Sequence, residues 1–252
     1  MFGLTIRPSD AKGSILVDMK TTRVLFVFLA VANIANQPAF LVNDGTALGA
    51  NNKAAELSAK GDYYGARAYI DAAIRREPKS YFLYMNRASL FISTNQWQLA
   101  LQDLDSCVRL NPAYLAGFDV RAFVHERLGE FRSSLADYNL VLRVNRSDWM
   151  ALNGRASLRA TCLDSSIRNG QEAVSDARKV CNITNWKIAG FIDTLASAYA
   201  ETGDFASAVQ YQQNAITLSP NKDIEGMRER LALYQSHKPY RTPLSRAARD
   251  HK

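Results

Sequence analysis

The chain has 252 residues, of which 47% are hydrophobic and 22% charged. That composition is enough to bury a sizeable core and excludes wholesale disorder. The net charge of +7 sits at the ends: residues 1–32 carry +2, and residues 238–252 carry +4 through Lys238, Arg241, Arg246, Arg249 and Lys252 against Asp250, which leaves a nearly neutral body and argues against an extended nucleic-acid-binding face.

In chain order, the first predicted element is a targeting segment. Lys20 and Arg23 precede an apolar run from Val24 to Ala32, and Ala30-Val31-Ala32 fits the small-residue cleavage pattern, with the cut after Ala32. The run is shorter than the roughly 20 residues that a bilayer-spanning helix requires. Met19 would make the leader conventional, whereas Met1 gives it a long preamble, and both remain open as starts. The expectation for residues 1–46 is a signal peptide and linker of an exported protein, periplasmic or extracellular. An uncleaved membrane anchor is the alternative.

From residue 47 the chain repeats itself. Gly61, Asn95 and Gly129 are spaced 34 residues apart, as are Tyr63, Trp97 and Phe131, and Ala66, Ala100 and Ser134. Pro78 and Pro112 keep the interval, and Arg146 stands where a third proline would fall. The segment 195–220 carries the same columns as Ala196, Gly203, Phe205, Ala208, Ala215 and Pro220, after a longer unit whose extra residues are CLDSSIRNGQ. The spacing gives about five units: 47–80, 81–114, 115–148, 149–188 and 189–222.

Each unit reads as two helices. Tyr84, Ala88 and Phe91 mark one helical face, and Leu101, Leu104 and Val108 mark the face of the partner helix. Glycine or Asn95 supplies the left-handed residue that stops the first helix, alanines let the backbones approach, and proline ends the second helix. One such hairpin cannot hide its apolar side alone, so the units must stack. A last helix over 223–236 places Ile224, Met227, Leu231 and Tyr234 toward the stack and Arg228, Glu229 and Arg230 outward, as a cap. The basic tail 237–252 has no apolar periodicity and is expected to be disordered.

The period and residue order over 47–222 resemble the tetratricopeptide repeat family. The fold class is therefore all-α: a right-handed α-solenoid of about five helix-turn-helix units with a C-terminal capping helix. The stretch from RASLRATCLD to YQSHKPYR also resembles uncharacterised exported tetratricopeptide proteins of planctomycete bacteria, with Leu163 and Asn185 as departures from their pattern.

Candidate chemistry is sparse. His125 falls in the column of Phe91 and Tyr199 and reads as a packed core histidine. Cys107, Cys162 and Cys181 form no metal-like pattern. A Cys162–Cys181 disulfide is disfavoured, because about ten helical residues of offset is roughly 15 Å, well beyond a disulfide's reach of about 7 Å. No enzyme, cofactor or metal is expected.

The family resemblance implies that first helices line a concave groove. On their outward faces lie Phe82, Met85 and Ser89, then Asp119, Phe123 and Arg127, then Met150 and Asn153. Two readings stand: an apolar strip for a peptide, or side chains covered by neighbouring units. The lysine and arginine of the family's carboxylate clamp are replaced by Ala116 and Val120, with only Asn86 fitting. The expected function is a non-enzymatic scaffold that binds a protein or peptide partner in the cell envelope. A structural subunit of an envelope assembly and a nucleic-acid-binding or other cytoplasmic scaffold are the alternatives. The basic tail could add weak contact with an acidic envelope surface.

Overall fold

The computed structural model describes residues 47–219 and 224–243; the leader, the cleavage position after Ala32 and the last nine residues of the tail lie outside them. Among the described residues there are eleven helices and no strand. They are α1 (Ala47–Ala59), α2 (Tyr63–Arg76), α3 (Tyr81–Ser93), α4 (Trp97–Leu110), α5 (Leu115–Leu128), α6 (Phe131–Val144), α7 (Trp149–Thr161), α8 (Gly170–Ile183), α9 (Ala189–Thr202), α10 (Phe205–Leu218) and α11 (Ile224–Gln235). None of these helices is long and apolar enough to cross a membrane.

Odd-numbered helices up to α9 are the first members of five pairs, and α11 closes the stack. Each first helix packs on its own second helix, and each second helix packs on the next first helix. The fold is an all-α solenoid of five tetratricopeptide-type units with a terminal cap.

The reversals inside each pair follow from single residues. Gly61, Asn95, Gly129 and Gly203 take φ of 80°, 57°, 81° and 84°, the left-handed region that ends a helix tightly. Next to them, Asp62 and Asp204 cap α2 and α10 by accepting from the backbone N–H of Gly65 and Ser207. The alanine columns are fully shielded: Ala66, Ala88, Ala100, Ala122, Ala156, Ala173, Ala196 and Ala208 are all 0% exposed. Helix backbones meet at these positions, and a larger side chain would wedge them apart.

A ladder of arginines ties successive units together. Arg87 on α3 forks onto Asp103 of its own pair at 2.8 and 2.7 Å, while its other nitrogen holds Asp71 of the preceding pair at 2.7 Å. Arg121 does the same with Asp137 at 2.8 and 2.8 Å and with Asp105 at 2.9 Å. Arg155 forks onto Asp176 at 2.8 and 2.9 Å, but its third contact, at 2.8 Å, is the amide oxygen of Asn139. Planar guanidinium forks fix register as well as adding energy, which suits a stack that must not slip.

The longer fourth unit places its extra residues in the loop between α7 and α8. Arg168 holds that loop by donating to the Cys162 carbonyl and to Glu201, both at 2.9 Å. The three cysteines are buried free thiols, and burial pushes Cys107 and Cys181 up to about 12. The folded protein is therefore expected to resist iodoacetamide at pH 8 at all three positions and to take up three adducts once unfolded, as read by intact mass.

Two features differ from the sequence expectation. Arg230 does not point outward: it is 7% exposed and its Nε donates to Asp193 at 2.8 Å. The helical wheel placed it on the polar side, but Asp193 recessed in α9 draws it inward. The start of the tail is also ordered by contacts. Tyr240 packs into the cluster around Tyr234, Thr242 donates its N–H to the Thr161 carbonyl at 2.9 Å, and Arg241 pairs with Glu201 at 2.7 Å. Arg241 and Thr242 thereby satisfy the carbonyls of Ala160 and Thr161 at the end of α7, a role that apolar periodicity does not encode.

Candidate functional site

The expected groove residues divide sharply by exposure. Met85 is 0% exposed and Phe123 is 6% exposed, and both belong to the core cluster with Trp97, whose ring meets Phe123 edge-on at 6.0 Å. Ser89 is buried and donates to the Met85 carbonyl at 3.0 Å. Asp119 is buried as well. Phe82, Arg127, Met150 and Asn153 are half-buried, with Arg127 over the Trp97 ring at 5.1 Å. At Met85, Ser89, Asp119 and Phe123 the open strip is therefore absent, because adjacent units cover these side chains.

What lines this face instead is a polar column. Asn51, Asp119 and Asn153 share one column of the repeat on α1, α5 and α7, with the apolar Met85 in that place on α3. Beside them, the Asn86 amide donates to Asn51 Oδ1 at 2.6 Å. Four oxygens of this row accept no hydrogen bond among the described residues: Asn86 Oδ1, both carboxylate oxygens of Asp119, and Asn153 Oδ1. Burial, reinforced by Asp148 and Asp137, pushes the Asp119 carboxyl up to about 9. At neutral pH it is held as an acid, so this stretch of the face is polar without being charged.

His125 is largely buried, with a carboxylate near each ring nitrogen. Its Nδ1 lies 2.6 Å from Glu130 Oε2 and its Nε2 lies 3.9 Å from Asp137 Oδ2. The ring bridges the turn to the second helix. Among the described residues no group of three or more histidine, cysteine or acidic side chains is placed to hold a metal.

The arginine ladder and the polar column were both missed by the sequence reading, although the signal was present. Arg87, Arg121 and Arg155 obey the repeat interval, as do Asp71 and Asp105, and Asp103 and Asp137.

Fold and face together define a helical-repeat solenoid with an extended inner surface, the kind of architecture that presents long binding faces. The tetratricopeptide repeat family model matches residues 191–222. The chain is 35% identical over 77 residues to stress-induced-phosphoprotein 1 of Caenorhabditis elegans, covering 31% of this chain and 24% of that protein. It is 33% identical over 107 residues to human serine/threonine-protein phosphatase 5, covering 40% of this chain and 21% of that one. The chain thus spans about a quarter or less of these two relatives.

Among solved structures, a tetratricopeptide repeat protein from Parabacteroides merdae superposes with a TM-score of 0.60 at 22% identity, over 76% of this chain and 77% of that one. The Cut9-Hcn1 hetero-tetramer of the APC/C gives a TM-score of 0.66 at 14% identity, over 87% of this chain and 41% of that chain.

Proposed function

We propose that the chain is a non-catalytic scaffold of a bacterial cell envelope that holds an extended segment of a partner protein along the polar column of its first helices. The leader-like residues 20–32 and the planctomycete-like stretch 155–241 support the exported setting. The observation that carries the binding role is the pair of unpartnered amide oxygens on Asn86 and Asn153, on first helices either side of the buried Asp119. A segment with free backbone N–H groups supplies the donors these acceptors lack. Asn86 and Asn153 are half-buried, and turning the Asn86 amide outward exchanges its bond to Asn51 for one to the partner.

The test is a pull-down from envelope extract with the wild type, Asn86→Ala and Asn153→Ala. Both variants are expected to lose the partner while keeping their helical content. If both retain every partner, the polar column is not the binding face. Phe123→Ala would be a poor probe, because the side chain is in the core and its loss perturbs folding. Fractionation checks the setting: the mature chain is expected to begin near Asn33 outside the cytoplasm, and a full-length cytoplasmic form would end the envelope assignment.

A further inference from the structure

At the junction of the third and fourth units the structure holds a cavity of about 350 Å³ between α6, α7 and α8. Leu142 and Leu152 form its apolar part, and Arg143, Arg146, Arg155 and Lys179 bring four cationic side chains to it without a single carboxylate in the lining. Arg155 is neutralised by Asp176. Arg143, Arg146 and Lys179 are exposed and take part in none of the ion pairs among the described residues.

The repeat itself shows what is unusual here. Asp71 and Asp105 hold the third nitrogen of Arg87 and Arg121, but Asn139 takes that place for Arg155. Pro78 and Pro112 stand where this junction has Arg146. Lys179 occupies the same helical position in α8 as Leu140 in α6. Each of these three changes makes the cavity more positive by one charge, in a body that is otherwise close to neutral. The arginine column through Arg75, Arg109 and Arg143 is common to all three junctions and explains nothing by itself.

We propose that this cavity is a receptor for a phosphomonoester dianion, with Arg143, Arg146 and Lys179 as its ligand-binding cations. A lone carboxylate would leave two of the three cations unneutralised. A phosphomonoester brings a charge of about −1.5 to −2 and three acceptor oxygens. Guanidinium forks match phosphate oxygens two at a time, and the leucines seat the carbon side of the ester. The phosphate is supplied by either a phosphorylated side chain or a small organic phosphate. The site uses none of the polar-column side chains and stands independently of the groove.

Calorimetric titration of the full chain decides it, with glycerol 3-phosphate, a short phosphoserine peptide and the same peptide with glutamate in place of phosphoserine. At least one phosphate probe is expected to bind about tenfold or more tighter than the glutamate peptide. Asn139→Asp and Arg146→Pro each restore the residue of the preceding unit, so they should keep the thermal midpoint and weaken phosphate binding about tenfold. Tighter binding of the phosphopeptide than of glycerol 3-phosphate assigns the source to a modified protein, and the reverse order to a small molecule. No phosphate binding at physiological salt overturns the proposal. So do equal affinities for phosphate and glutamate probes, or variants that bind like the wild type.

Discussion

Replacing Asp119 with asparagine is expected to stabilise the protein by about 2–4 kcal/mol at pH 7. The carboxyl is 5% exposed, neither oxygen accepts a hydrogen bond, and burial raises it to about 9 from an ordinary value of 3.8. Between those values the folded state keeps a proton that the unfolded chain has released. The folded pKa is the higher one, so the penalty is absent below the unfolded value and grows as pH rises, by at most about 1.4 kcal/mol per unit, until it levels off above 9. Asparagine has the same shape and never ionises. Urea unfolding of both proteins at pH 4, 7 and 9 should give nearly equal stabilities at the first pH and a widening gap at the other two. Taking the difference cancels the other titrating groups. A gap that does not change with pH would show that Asp119 is charged in the fold.

The last unit shows why such a residue is costly at this position and useful elsewhere. Asp193 accepts from Gln212 at 2.7 Å and from Arg230, 37 residues further on, at 2.8 Å. The same distance beyond Asp119 lies Ala156, which offers nothing. A stack that tolerates an unanswered acid on an inner face carries a local instability there, which is common at binding faces.

How much of this was legible in the sequence depends on whether one residue or two decide the outcome. The turns were legible because one backbone requirement, positive φ, recurs every 34 residues at Gly61, Asn95 and Gly129 and again at Gly203 after the longer unit. The alanine columns were legible for the same reason. Exposure on the inner face was not, because it belongs to pairs: Phe123 is covered through Trp97 of the preceding unit, and periodicity along one helix does not report its neighbour's reach. The direction of Arg230 is hidden for a similar reason, since it is set by Asp193 in a different helix. The start of the tail carries no apolar pattern because it docks by a hydrogen bond at Thr161 and an ion pair at Glu201.

The same pairwise logic predicts a large, conditional effect at Gly154. A Cβ there would lie 2.3 Å from Tyr138 Cζ and 2.5 Å from its hydroxyl, so the ring fills the space a side chain would use. Tyr138 is itself buried, and its hydroxyl donates to Glu126 at 2.9 Å. One repeat earlier the corresponding residues are Leu104 and Val120, both buried in one core cluster. The two junctions thus solve one packing problem differently, with a large and an empty position in one and two medium side chains in the other. Gly154→Val alone should cost about 3 kcal/mol through overpacking. Tyr138→Leu alone should cost about 2 kcal/mol through the cavity and the lost hydrogen bond. Together they copy the preceding junction, and valine also replaces a mid-helix glycine in α7, a gain of a few tenths of a kcal/mol. The double variant should therefore lose less than either single one, a coupling of several kcal/mol in a cycle of denaturant unfolding curves. Losses that simply add would mean that Tyr138 and Gly154 do not share one space, and that the stacked units are more independent than their repeated columns imply.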